Sequence, residues 1–126
     1  MPRNRLAASA AILCAAAALL PAAPAPAHHS FAMFDSGRPV TLTGTVKEFR
    51  WVNPHSAIFV QVDGSTDPDK LWAVELTSPS NLRRQGWTRT SLQPGDRVSV
   101  EIAPLRDGKH GGGFRSLTKL DTGEKL

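Results

Sequence analysis

Cysteine occurs once in the 126 residues, at Cys14. It lies inside the apolar run Leu6 to Leu20, with Leu13 before it where a lipid-anchored cysteine wants a small residue. The remaining chain has no thiol, which excludes disulfides, thiolate metal clusters and a cysteine nucleophile. Long hydrophobic runs are scarce as well. Leu6–Leu20 is the longest, and its span of about 22 Å at ~1.5 Å per residue falls short of a ~30 Å hydrocarbon core. A charge of one sign is lacking: 15 basic side chains face 11 acidic ones, a net of +4. The ten prolines and ten glycines follow no period, so a collagen-like chain is excluded and a loop-rich β fold is favoured. Asp107–Gly113 (DGKHGGG) lacks the order of a nucleotide-binding loop. Asp63, Asp67 and Asp69 lack the spacing of a calcium loop. No nucleophile motif frames the serines. These absences leave an enzyme open only through a bound metal.

The N-terminus reads as an export signal. Arg3 and Arg5 precede the apolar run, and Pro21–Ala27 (PAAPAPA) ends in an A-x-A cleavage pattern. Cleavage after Ala27 leaves His28 as the mature N-terminus, in the periplasm, with no stable membrane anchor. Loss of Arg3 and Arg5 brings the net charge to +2, which removes the electrostatic argument for nucleic acid. The expected organisation is a signal over 1–27, an N-terminal arm over 28–39 and one domain over 40–126.

Within that domain, alternation predicts five strands. In Val40–Trp51, Val40, Leu42 and Val46 share one face with Gly44, where a missing side chain permits bending. Phe49 and Trp51 are out of phase with Val46, which predicts a bulge near Lys47 and Glu48. Asn53-Pro54-His55 is a turn. Ser56–Val62, Leu71–Thr77, Arg97–Ala103 and Phe114–Leu120 are the further strands. Ser78 and Pro79 open a short helix to Gln85, and Gly86 stops it. The order predicts an all-β fold, a small OB-like five-stranded antiparallel barrel with one short helix between strands three and four.

His28-His29-Ser30-Phe31, Phe34-Asp35, Thr43-Gly44-Thr45-Val46, Trp51-Val52-Asn53-Pro54-His55 and Pro94-Gly95-Asp96 resemble an exported bacterial domain-of-unknown-function family (DUF6152). The resemblance implies a periplasmic single domain. It brings no catalytic residue.

Candidate chemistry rests on four histidines. A mature His28 offers its α-amine and ring Nδ1 to a metal. A third nitrogen, best from His55 beside the conformationally restricted Pro54, completes a T-shaped site that suits copper. His29 and His110 are further candidate ligands. Trp51, Asn53 and Phe59 form a candidate ligand face at the first turn, although aromatic residues at these positions equally fill a core. Arg83, Arg84 and Arg89 around Trp87 can grip an anion or form a solvated face. The reading that follows is a small periplasmic binding protein whose cofactor, if any, is copper. Its partner is a small ligand or a periplasmic protein. The alternatives are an interaction module without a small ligand and a copper-dependent redox enzyme.

Overall fold

The computed structural model describes residues 32–64 and 70–126. The elements follow as β1 (Val40–Arg50), β2 (Ala57–Val62), β3 (Leu71–Glu75), α1 (Pro79–Arg84), β4 (Arg97–Pro104) and β5 (Gly111–Lys119). Alternation decides which side chains point inward. Val46, Ile58, Val60, Val74, Val98, Val100, Ile102 and Leu117 form a buried apolar interior. The strands pair in the order β1-β2-β3-β5-β4, and β4 returns to β1 to close the barrel. Closure satisfies the backbone groups that an open sheet edge would expose.

Four seams are antiparallel. The seam of β3 with β5 is parallel, which corrects the expectation of antiparallel pairing throughout. The reason is parity: strand direction cannot alternate around a closed ring of five, so one seam must run parallel.

A second correction concerns the glycines before Phe114. The sequence predicts a loop through Gly113, yet β5 begins at Gly111. Gly111, Gly112 and Gly113 face Ala73, Val74 and Glu75 across the parallel seam. A Cβ on Gly112 would lie 2.5 Å from the Ala103 carbonyl oxygen and 2.8 Å from Ile102 Cδ1. Glycine serves here to let three strands approach closely.

The bulge in β1 falls where the phase change places it. The register passes from Val46 opposite Val60 to Glu48 opposite Phe59, so Lys47 is the extra residue. The shift turns Phe49 and Trp51 toward the core. At the end of β3, the Ser78 hydroxyl accepts from the Asn81 amide and caps α1, with Pro79 in the first turn. Gly86 adopts φ 90° just past the helix. Leu82, Trp87 and Leu92 carry the core from the helix into the following loop.

The arm is fastened to the end of β4. Phe34 forms a bridge with Leu105. The Asp35 amide donates to the Pro104 carbonyl at 2.8 Å, and the Arg106 amide to the Met33 carbonyl at 2.9 Å. Phe34 is buried while Met33 remains exposed; Phe31 lies outside the described residues.

Candidate functional site

Where β3 ends and the chain turns into α1, a gap opens between the helix, β5 and the arm. It forms a groove of about 510 Å³. Its apolar lining comes from Phe34, Leu76, Leu82, Ala103 and Phe114. Phe34 reaches this position because residue 113 is glycine: a Cβ there would stand 3.2–3.4 Å from the ring. Phe114 packs edge-on against Trp87, with 5.4 Å between ring centres.

The rim is polar. His55 Nδ1 lies 2.5 Å from Glu75 Oε1, with both side chains partly exposed. An imidazole Nδ1–H facing a carboxylate oxygen donates to it. Ala57 faces Glu75 across the β2–β3 seam, and His55 stands two residues before Ala57, on the same side of the strand. Opposite them, Arg115 Nε meets Glu101 at 3.0 Å, and Arg115 Nη1 donates to the Ser36 carbonyl at 3.1 Å. Arg115 therefore ties the arm to β5, with its charge balanced by Glu101.

Residues 15–114 match the family described as "Family of unknown function (DUF6152)". The chain belongs to this family. No curated protein and no solved structure matches it.

In this DUF6152 member the sequence candidates are distributed unevenly. His55 lines the groove. His110 stacks on Trp72, with ring centres 5.0 Å apart, and lines a shallower recess with Leu71, Gly108 and Lys109. His28, His29 and Ala27 lie outside the described residues, as do Asp67 and Asp69. Among the described residues no three His, Cys, Asp or Glu side chains come together as a metal-binding group.

The first-turn ligand face divides. Trp51 is buried and packs edge-on against Phe49 at 5.7 Å. Phe59 stands one residue out of step with the buried Ile58 and Val60, and the Arg50 guanidinium covers it at 4.4 Å. Asn53 is exposed in the turn, joined to Pro54 by a cis peptide bond. The arginines also separate. Arg83 lies over Trp51 at 5.6 Å, Arg84 bonds Asn81, and Trp87 is buried rather than ringed by them at the surface.

The sequence reading missed Glu75 and Arg115. Glu75 carried a weak signal, since it is the outward polar position between Val74 and Leu76. Arg115 carried none, because its partners Ser36 and Glu101 meet it only through the fold.

Proposed function

We propose that this protein is an exported, non-enzymatic small-ligand-binding module on an OB-like barrel, and that the groove beside α1 is its ligand site. The observation that carries this reading is the groove: about 510 Å³ with an apolar lining and the His55–Glu75 pair on its rim. Small-molecule sites favour that size and a few polar groups around an apolar floor. The OB-like description is supported by the strand order and by the helix between β3 and β4. Export to the periplasm is supported by the composition of residues 1–27.

Nuclear magnetic resonance with a set of small amphipathic compounds tests the site. Shifts concentrated at Phe34, Leu76, Leu82 and Phe114, and lost in Phe34→Ala, are the expected result. Shifts scattered over the barrel would remove the groove from consideration.

A second reading, copper binding, is favoured by one contact. Metal-ligating histidines commonly give their other ring nitrogen to a carboxylate, and Glu75 holds His55 Nδ1 in that manner. His28 stands six residues before Phe34, which shares the groove with His55. Six extended residues span up to about 20 Å, a length that supports a chelate joining the terminus to the groove.

A further inference from the structure

We infer that the groove selects a neutral amide with an apolar body, and that the Gln85 side chain reads the amide. This deepens the reading of the groove as the ligand site and rests on it. Most polar side chains of the lining already have protein partners. His55 faces Glu75 at 2.5 Å. Arg115 meets Glu101 at 3.0 Å and donates to the Ser36 carbonyl at 3.1 Å. The Thr77 hydroxyl accepts from the Asn81 side chain at 3.0 Å. A ligand that draws on either couple competes with the partner already in place. Among the described residues, the Ser36 hydroxyl and the Gln85 side chain line the groove without a hydrogen bond to the protein. The hydroxyl is a single rotating donor, whereas the Gln85 carboxamide sets an acceptor and two donors in one plane. The end of α1 fixes its place: the Gln85 backbone N–H donates to the Asn81 and Leu82 carbonyls at 3.2 and 3.0 Å. Leu82, buried and part of the groove lining, stands three residues earlier on the same helix face. An apolar body resting on Leu82 and Phe114 therefore brings its head to the exposed Gln85 side chain. A neutral amide presents a donor beside an acceptor and completes two hydrogen bonds there. A ketone completes one, and a carboxylate turns an oxygen against the Gln85 carbonyl.

The experiment uses three probes of one shape: 3-phenylpropanamide, 4-phenylbutan-2-one and 3-phenylpropanoate. Binding to the protein is followed by tryptophan fluorescence, since Trp87 packs against Phe114 of the groove lining. The amide is expected to bind about fivefold tighter than the ketone, the scale of one neutral hydrogen bond, and the carboxylate weakest of all. Gln85→Met keeps the length of the side chain and removes its donors and acceptor. It should weaken the amide more than the ketone and bring the two to equal affinity. Equal binding of amide and ketone to the unaltered protein, or an amide preference that survives Gln85→Met, overturns the role of Gln85 while the groove stands as a site. An amide preference that Ser36→Ala removes and Gln85→Met does not assigns the reading to the arm and overturns the proposal in the same way. Tightest binding by 3-phenylpropanoate also overturns it and makes Arg115 the reader. Failure of all three probes to bind overturns both the selection and the site.

Discussion

Single residues hold this barrel at its tightest points. A Cβ on Gly44 would fall inside contact distance of the Gln61 carbonyl oxygen and 2.9 Å from Val62 Cα, both backbone atoms that cannot rotate away. Gly44→Ala is therefore expected to cost about 2 kcal/mol, as an overpacked core site does. Gly37→Ala is the matched control, because its nearest neighbour is the Asp35 carboxylate at an ordinary 3.5 Å. Urea unfolding of both variants checks this, and equal midpoints would show that the β1–β2 seam yields at Gly44. Ile102 makes the opposite kind of residue-scale case. It is wholly buried, facing Val40 on one side and Phe114 on the other. Ile102→Val should cost about 0.5–1.5 kcal/mol by loss of one methylene, read from the same unfolding curves.

Among the elements, the end of β2 and the start of β4 are clamped across β1. Arg97 grips both oxygens of Asp63 at 2.5 and 2.6 Å and also donates to the Thr45 hydroxyl at 3.1 Å. The Arg97 hydrogen bonds hold the Asp63 carboxyl below the usual carboxylate range. A carboxylate with a depressed folded pKa stabilises the fold above its unfolded pKa, and that contribution is lost as pH falls through the folded value. The urea midpoint of the protein should exceed that of Asp63→Asn near pH 7, and the gap should close as pH falls through the depressed folded pKa of Asp63. Added salt should narrow it too, since both groups are exposed. A gap that stays constant over that range would assign the effect to something other than the ion pair. Element positions were legible because each rests on a local rule: alternation for the strands, the Ser78–Pro79 start for α1, the phase change at Lys47 for the bulge. Strand direction at the β3–β5 seam was not, because alternation reports faces and not polarity. Gly111–Gly113 misled for a related reason, since glycine in a crowded seam and glycine in a loop look alike along a chain. The same limit governs the site. His55 was legible from its turn, but Glu75 and Arg115 owe their positions to pairings between distant strands.

At the scale of the whole molecule, the question is whether the N-terminus and the barrel act together. Copper binding decides it. In the proposed copper site, His28 as a mature terminus would supply an amine and an imidazole, and His55 a further imidazole from the groove rim. Each must lose a proton to bind metal, so Cu(II) affinity should fall steeply from about pH 8 to pH 5, as two imidazoles and an α-amine become protonated. One residue added before His28 moves the free amine off its chelate ring and should weaken binding strongly. His55→Ala should weaken it to a comparable degree. Glu75→Gln should weaken it by about 10–100-fold, the usual cost of removing the group that orients a ligating histidine. His110→Ala should matter least, because that ring stacks on Trp72 and lines a separate recess. Competition titration against a chelator of known affinity measures all four. If the extended and native termini bind Cu(II) equally, the site is not built on the terminus. If His55→Ala alone is silent, the terminus binds without the barrel. Only joint loss at both ends of the chelate makes the fastened arm part of the site, for then the contacts of Phe34 and Asp35 with β4 are what bring the two halves within reach of one ion.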